Sequence, residues 1–379
     1  MSVSRRQFLK ASAITASVPL VTTLCIDSSE ARIGDAVDLT LGYKPGAHRM
    51  NLNENPLGPP PAAVAAAQSA IPAANRYVSP DLLKSLLGEY HGMDKDWVLV
   101  GNGSTEVLKL APLAFARDST SNVVSARETW NKTPHYAGVL GAKINYVNLL
   151  KNQHYAFDID GMLTAVDAGT GIFFVVNPNN PTGAILSFEE LKLIADSLPK
   201  HVLFIIDEAY AQFNPEARTG IDLLKEGYEN VLVTRTFSKA WGLAALRCGY
   251  AVGHPDVLKK IAVHGCDAAS LNIAGYSALQ AALGDHTQLD RSREFVREVS
   301  AYFKKESAKQ GLSLVTGPVP LPFYLFELGE RAKVIQQELE KRNIFVRHVE
   351  SWGLPQHIRV SWGLEADNRA FFRELKALV

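Results

Sequence analysis

One lysine in this sequence has neighbours that could make it a nucleophile. Lys239 lies in the string T-F-S-K-A-W-G (236–242), and Arg247 follows eight residues later. A lysine in a partly desolvated pocket beside another cation has a lowered pKa, so that its neutral amine can form a Schiff base and carry protons. Taken alone, a surface lysine is the alternative interpretation.

Three further strings carry polar groups of complementary chemistry. D-E-A-Y (207–210) offers a carboxylate for a positive group such as a protonated ring nitrogen, although helix capping is a competing task for Asp207. N-P-N-N-P-T-G (177–183) predicts a rigid turn, whose Asn amides either face a ligand oxygen or bond only their own backbone. G-N-G-S-T-E (101–106) predicts an anion site at a helix start, suited to phosphate, or a plain tight turn.

Each string comes directly after, or at the end of, a short apolar run typical of a buried strand. Such runs cover 97–100, 171–176, 202–206, 231–234 and 248–252. Helical patterns cover 105–116 and 187–198, and the second opens with a capping box of Ser187 and Glu190. This alternation predicts an α/β fold with a mostly parallel sheet, in which ligands lie at the carboxyl ends of the strands.

The pattern changes after about Asp285. A long charged helix (289–310) is followed by short segments at 323–327, 332–342, 345–348 and 358–362, which predict a smaller α+β domain. The extended segment 51–61 is expected to complete it. The predicted organisation is a joining segment over 32–75, a large domain over 76–284 and a small domain over 285–379.

Taken together, the strings resemble those of the class I and II aminotransferases of fold type I, most closely the histidinol-phosphate aminotransferase branch. The matching strings are N-L-N-E-N-P-L-G (51–58), G-N-G-S, N-P-N-N-P-T-G, D-E-A-Y and F-S-K-A-W-G-L-A-A-L-R-C-G-Y (237–250). The resemblance extends from about Asn51 to the C-terminus. It implies pyridoxal 5′-phosphate as cofactor, transamination between an amino donor and a 2-oxo acid, and a homodimer.

The resemblance also implies roles for individual residues. Lys239 would hold the cofactor covalently and move a proton, Asp207 would pair with the pyridinium nitrogen, and Tyr210 would bond the ring's phenolic oxygen. Asn180 would also form a hydrogen bond to this phenolic oxygen. The cofactor phosphate would be bound by Gly103, Ser104, Thr105, Thr236, Ser238 and Arg247.

The remaining implied roles concern the substrate and the partner subunit. Trp130 would stack on the cofactor ring, and Arg359 would bind the substrate carboxylate. Asn55 and Asn180 would contact the substrate, and Tyr77 would reach the phosphate bound by the other subunit.

The substrate itself is less defined, because the chain departs from the family pattern at Thr105, at Glu128-Thr129 and around Tyr77. In the histidinol-phosphate branch the same arginine takes a phosphate instead of a carboxylate. An exported location and the bulky Trp130 and Trp362 favour an amino acid with an apolar or aromatic side chain. The alternatives are decarboxylation of a phosphorylated amino acid and a non-catalytic binding protein of the same fold.

The N-terminus carries the string S-R-R-Q-F-L-K (4–10), followed by an uncharged stretch over 11–24. This pattern predicts a twin-arginine export signal, cleaved after Ala31, and therefore a periplasmic or exported protein that engages the twin-arginine machinery. The stretch is shorter than the ~20 residues that a membrane-spanning helix needs. An ordinary extension with a chance Arg pair is the alternative.

Composition excludes several other classes. The 379 residues include 39 Lys and Arg and 39 Asp and Glu, so the chain is not a polybasic nucleic-acid binder. Three cysteines cannot build a disulfide framework, and no zinc-type spacing is present, so no metal site is predicted. Cys248 and Cys266 are expected to be buried thiols.

Overall fold

The computed structural model describes residues 41–266 and 270–379. The predicted export signal and its cleavage site therefore lie outside the described residues. Residues 32–40 of the predicted joining segment also lie outside them. Within the described ranges, no helix is both long and apolar enough to cross a membrane.

The strands build one large sheet and two small ones in the described part of the chain. In chain order they are β1 (His48–Arg49), β2 (Val98–Asn102), β3 (Asn122–Ala126), β4 (Lys143–Val147), β5 (Thr170–Val176), β6 (Leu203–Asp207), β7 (Val231–Thr236), β8 (Cys248–Gly253), β9 (Ser313–Val315), β10 (Phe323–Glu327), β11 (Ile344–Phe345), β12 (Arg347–Val349) and β13 (Leu354–Ser361).

The large sheet has the order β2-β8-β7-β6-β5-β3-β4. Strand β8 runs antiparallel to both of its neighbours, and the other pairs are parallel. The prediction of an α/β fold with a mostly parallel sheet is confirmed. Strands β5 and β6 are almost continuously buried, since helices cover both faces of such a sheet.

The helices are Pro61–Ala70, Asp81–His91, Ser104–Phe115, Lys132–Val139, Ile159–Thr164, Phe188–Ser197, Gly220–Lys225, Pro255–Ala262, Ile273–Leu283, Thr287–Gln310, Ala332–Lys341 and Glu365–Lys376. The predicted capping box is present: the backbone N–H of Glu190 donates to Ser187 Oγ at 3.2 Å, and that of Ser187 donates to Glu190 Oε2 at 2.7 Å. These bonds satisfy two helix-start donors and begin the helix where the sequence indicates.

The C-terminal strands form an antiparallel sheet of order β12-β13-β10-β9, in which Arg347 lies opposite Arg359. The chain near the N-terminus joins this region: β1 pairs with β11, and Met50 O accepts from the backbone N–H of Ser361 at 2.8 Å. The long helix Thr287–Gln310 packs on the sheet through Phe303, whose ring stacks on that of Tyr324 at 4.0 Å.

Candidate active site

A cavity of about 240 Å³ opens where the large sheet's strands end. Most of the predicted site residues line it. They are Ser104, Thr105, Trp130, Asn180, Asp207, Tyr210, Thr236, Ser238, Lys239, Arg247 and Arg359. These residues are spread over positions 104 to 359 of the chain, so the tertiary structure brings the strings together.

Lys239 reaches the cavity from the turn after β7. Its Nζ donates to the main-chain oxygen of Leu52 at 2.9 Å. Burial, helped by the positive charge of Arg359, lowers the pKa of Lys239 to about 8. A larger fraction of this amine is therefore neutral and nucleophilic near neutral pH than for an ordinary lysine.

Asp207 ends β6 with its carboxylate 3% exposed. Its Oδ1 accepts a hydrogen bond from Thr234 Oγ1 at 3.0 Å. Burial raises the pKa of Asp207 to about 7, because a charged carboxylate is poorly solvated here. A cation placed in the cavity would stabilise the charged form, so this carboxylate suits a protonated ring nitrogen.

Tyr210, Asn180 and Arg359 form a hydrogen-bonded series in the cavity lining. Tyr210 Oη accepts from Asn53 Nδ2 at 2.8 Å and, more weakly, from Asn180 Nδ2 at 3.4 Å. Asn180 Oδ1 accepts from Arg359 Nη1 at 3.0 Å. Burial raises the pKa of Tyr210 to about 12, so its hydroxyl remains a hydrogen-bond donor at neutral pH.

The Asn-rich turn divides its amides between the two uses that the sequence left open. Asn177 and Asn179 are committed to the surrounding chain: Asn177 exchanges bonds with the backbone of Leu186, and Asn179 bonds to the backbone oxygen of Glu128. Asn180 is the amide that lines the cavity. The turn is therefore held by two of its Asn side chains and presents the third.

Another part of the cavity lining, which includes Ser104, Thr236, Ser238 and Arg247, is suited to a phosphate. Gly103 has a φ of 77°, a left-handed conformation, and precedes the helix Ser104–Phe115; a Cβ at Gly103 would lie 2.4 Å from Arg247 Nη2. The hydroxyls of Thr236 and Ser238 are 2.9 Å apart. Free N–H groups at the helix start, two hydroxyls and a guanidinium together can bind a dianion.

Two arginines lie together in a further part of the lining, formed by Arg347, Arg359 and Trp352. We call this part the substrate end, after the role that the sequence predicts for Arg359. Arg347 and Arg359 both line the cavity, and both lie over the ring of Trp352, with Cζ to ring-centroid distances of 4.5 and 5.6 Å. Burial lowers the pKa of Arg359 to about 10, and the like charge of Arg347 adds to that effect. Burial also lowers the pKa of Arg347. Two cations in one partly desolvated place favour a doubly charged anion.

Sequence reasoning missed Arg347, Trp352 and Leu52, which all line the cavity. The available signal for Arg347 was its strand, 345–348, which was predicted without a register. Pairing with β13 places Arg347 opposite Arg359. The register of this ladder, and not a local motif, brings the second arginine to the site.

Two of the sequence expectations, those for Asn55 and Trp362, need a different description. Asn55 does not face the cavity: its Nδ2 donates to the backbone oxygen of Ala240 at 3.1 Å and to Ser292 Oγ at 2.8 Å, which fixes the turn that carries Lys239. Asn53 is the Asn of that string that reaches Tyr210.

Trp362 does not border the cavity either, contrary to the expectation that it shapes the substrate pocket. It is 1% exposed and packs between the rings of Phe213 and Phe295 at 5.5 and 5.6 Å. Tyr77 is 83% exposed and does not line the cavity of its own chain, and its contact with another subunit stays a prediction. Cys248 and Cys266 are buried thiols, as expected.

The arrangement fits pyridoxal 5′-phosphate on its own geometry. Asp207 is a buried carboxylate for the ring nitrogen, and Lys239 is an amine of lowered pKa for the aldehyde carbon. The absence of a Cβ at Gly103 leaves room for the Arg247 guanidinium beside the helix start, where the phosphate would bind. When bound, the cofactor supplies a ring that accepts electrons from the substrate's Cα.

Comparisons with known proteins agree with this geometry. A family model for class I and II aminotransferases matches residues 47–374. A histidinol-phosphate aminotransferase of Symbiobacterium thermophilum is 34% identical over 331 residues, covering 87% of this chain and 90% of that protein. Histidinol-phosphate aminotransferase 2 of Pseudomonas fluorescens is 36% identical over 332 residues, covering 85% and 86%.

A solved structure has the same fold. The histidinol-phosphate aminotransferase of Sinorhizobium meliloti in complex with pyridoxal-5′-phosphate superposes with a TM-score of 0.81 at 23% identity, covering 97% of this chain and 100% of that chain. The match over residues 47–374, and relatives above 30% identity over most of the chain, show that it belongs to the class I and II aminotransferases, fold type I enzymes that use pyridoxal phosphate for transamination.

Proposed function

We propose that the amino donor of this enzyme is a phosphorylated amine of the histidinol-phosphate type, and that its amino group passes to a 2-oxo acid. The observation that carries the proposal is the pair of cavity-lining guanidiniums, Arg347 and Arg359, which both lie over the ring of Trp352. Curated relatives at 34–36% identity are named for that substrate.

Charge matching favours a phosphate over a lone carboxylate at this end. A phosphate monoester carries a charge of about −1.5 to −2 near neutral pH, whereas a carboxylate carries one negative charge. Guanidiniums bind phosphate oxygens with two parallel N–H groups each. A dianion would therefore compensate both Arg347 and Arg359, and the same pair can accept the distal carboxylate of an acidic 2-oxo acid in the second half-reaction.

Different side chains of the cavity then have different roles in this reaction. Arg359, which is hydrogen-bonded to Asn180, and Arg347 hold the distal anion, and both guanidiniums pack over the ring of Trp352. With the cofactor bound, Lys239 Nζ would take the proton from the substrate's Cα and return it at C4′ of the cofactor, the carbon on the other side of the amine nitrogen. Asp207 would hold the ring nitrogen in its protonated form, which stabilises negative charge at Cα.

The test compares matched amines with the purified holoenzyme. Histidinol phosphate and histidinol differ only in the phosphate, so the proposal predicts fast spectral conversion of the cofactor to its amino form with the first and slow conversion with the second. Aromatic and aliphatic amino acids serve as the third arm. Fast conversion with those amino acids and none with histidinol phosphate would show an amino-acid aminotransferase instead.

The decarboxylase alternative has its own readout. Release of carbon dioxide from a phosphorylated amino acid, without the cofactor's amino form accumulating, would favour that reaction. The same cavity would then hold the phosphate, but a different bond at Cα would be broken.

We also propose a homodimer in which Tyr77 contacts the phosphate end of the partner's cavity. Several large apolar side chains are exposed between residues 52 and 90, among them Leu52, Ile71, Tyr77, Leu82 and Tyr90. Exposed large apolar side chains of this kind support an interface with a second copy. Sedimentation should give a dimer, and Tyr77→Phe should speed cofactor release without separating the subunits; a monomeric holoenzyme would contradict the proposal.

Export by the twin-arginine machinery is a further proposal, supported by the string S-R-R-Q-F-L-K (4–10). This route carries folded proteins, so the enzyme would reach the periplasm or the exterior with its cofactor already bound. Replacing Arg5 and Arg6 by lysine should leave active holoenzyme in the cytoplasm. Equal distribution of wild type and variant between fractions would refute an export signal.

A further inference from the structure

A buried ion pair lies directly behind the residues that face the cofactor. Asp207 and Thr236 line the cavity, whereas their chain neighbours Glu208 and Arg235 do not. Successive side chains along a strand alternate between its two faces, so Glu208 and Arg235 project to the opposite face of the sheet. Transamination as described above does not use either residue.

The pair is closely bonded and shielded from water. Glu208 Oε2 accepts from Arg235 Nε at 2.9 Å and from Arg235 Nη2 at 2.7 Å, and Glu208 Oε1 accepts from the backbone N–H of Gly220 at 2.7 Å. Side-chain exposure is 1% for Glu208 and 11% for Arg235. At this depth each charge depends on the other for compensation.

This ion pair is attached to Asp207 through the strand ladder. Asp207 and Thr234 are register partners on β6 and β7, and their side chains are hydrogen-bonded at 3.0 Å. The backbone N–H of Glu208 donates to Thr234 O at 2.9 Å. The pair Asp207–Thr234 is therefore followed directly by the pair Glu208–Arg235 along the two strands. The carboxylate of Asp207 faces the cavity, and the pair Glu208–Arg235 faces away from it.

Four other titratable groups lie around the pair. Tyr250 lies on β8, Tyr90 and His91 on the helix Asp81–His91, and Lys225 at the end of the helix Gly220–Lys225. Burial, with help from Arg235, lowers the pKa of His91 to about 3, and burial raises the pKa of Tyr250. Lys225 is exposed, so solvent screens it. Among these groups of the described chain, Glu208 and Arg235 are thus the two that are both buried and charged.

We propose that Glu208 and Arg235 are a positioning pair that sets the electrostatic potential at Asp207 and, through it, at the cofactor ring. The intact pair adds no net charge behind the sheet. Loss of either member leaves the other as an uncompensated buried charge next to Asp207. Burial is the main cause of the raised pKa of Asp207, and the negative charge of Glu208 adds to it.

The proposal predicts opposite electrostatic effects from two variants that break the same ion pair. Arg235→Met leaves a negative charge, which stabilises the protonated, positively charged state of the bound cofactor. Glu208→Gln leaves a positive charge, which disfavours that state. A purely structural role for the pair predicts the same kind of damage from both changes, because both remove the same hydrogen bonds.

The experiment is a pH titration of the visible absorption of the holoenzyme, without substrate. The midpoint should rise by about one pH unit in Arg235→Met and fall by about as much in Glu208→Gln. Arg235→Lys keeps the charge and should titrate near the wild type. Shifts in the same direction, or unchanged midpoints in both single variants, would overturn the proposal.

The double variant Glu208→Gln with Arg235→Met keeps the experiment decisive if one single variant does not fold. It carries no net charge at this place and should return the midpoint close to the wild-type value. If Arg235→Met is insoluble, the proposal still requires a lowered midpoint in Glu208→Gln and its recovery in the double variant. Equal midpoints in those two proteins would contradict it.

Discussion

The two ends of the active-site cavity are built in different ways. The cofactor end is made of short contiguous strings, each placed at the carboxyl end of a strand in the large sheet, with Asp207 on β6 and Thr236 on β7. The substrate end is made of Arg347 on β12 and Arg359 on β13, two strands of the four-stranded sheet, with Leu52 from the segment before β2.

This difference shows which parts of the site a local motif can encode. Parallel strands bring their carboxyl ends to one edge, so each string at the cofactor end needs only to follow its own strand. The substrate end depends on the register between β12 and β13, and on a segment whose residue Asn53 bonds to Tyr210, 157 positions away. Variants at the two ends should therefore fail in different ways.

The largest effect is expected at the cofactor end, from Lys239→Ala. Without the amine, the protein should lose covalent attachment of the cofactor, and the half-reaction should slow by at least about a thousandfold, because both the nucleophile and the proton carrier are removed. Absorbance of the purified protein and single-turnover kinetics measure this. Lys225→Ala, at an exposed lysine, is the control and should match the wild type.

Asp207→Asn should slow the reaction less while leaving the cofactor bound. A neutral amide cannot keep the ring nitrogen protonated, and loss of such electrostatic stabilisation raises the barrier by about 2 to 4 kcal/mol. The turnover number measures this loss, with the exposed Asp256→Asn as a matched control. Near-normal turnover in Asp207→Asn would mean that the buried carboxylate serves only to pack the strand end.

At the substrate end, Arg347→Met should raise the KM for histidinol phosphate by about tenfold to a hundredfold, because a hydrogen bond to a charged group contributes about 1.5–3 kcal/mol. The KM for histidinol should change little, and kcat should be nearly preserved. Arg359→Met should have a larger effect, since Arg359 also orients Asn180. Arg369, whose side chain is 69% exposed, provides the control Arg369→Met.

If Arg347→Met lowers kcat equally for histidinol phosphate and for histidinol, the two ends of the cavity do not have separate functions. Arg347 would then act on the cofactor and not on the substrate's anion.

The smallest effect is the pH dependence of cofactor incorporation into the apoprotein. Because burial lowers the pKa of Lys239 to about 8, the neutral fraction of this amine grows as pH rises towards that value and then saturates. The incorporation rate should increase by about fivefold from pH 7 to pH 8 and by less than about twofold over the next unit. A tenfold increase per unit up to pH 10 would instead indicate an ordinary exposed lysine.

Local sequence was sufficient for most elements of the large sheet. The apolar runs that predict β5 to β8 lie within one or two residues of the observed strands, and the helix Phe188–Ser197 begins at its predicted capping box. Strands β3 and β4 were missed. Strand β3 is short and contains polar residues that are nevertheless buried, and β4 is a half-buried edge strand, so neither has a strong apolar pattern.

What the sequence by itself determined is the chemistry of the cofactor end. Lys239, Asp207, Asn180 and the residues predicted to bind the phosphate lie in strings that follow strands of the large sheet, so local structure already brings them to one edge of it. Only the tertiary structure decided the substrate end. A strand's register against a distant partner depends on which buried faces pack together, so the pairing of Arg347 with Arg359 and the bond from Asn53 to Tyr210 are properties of the assembled core.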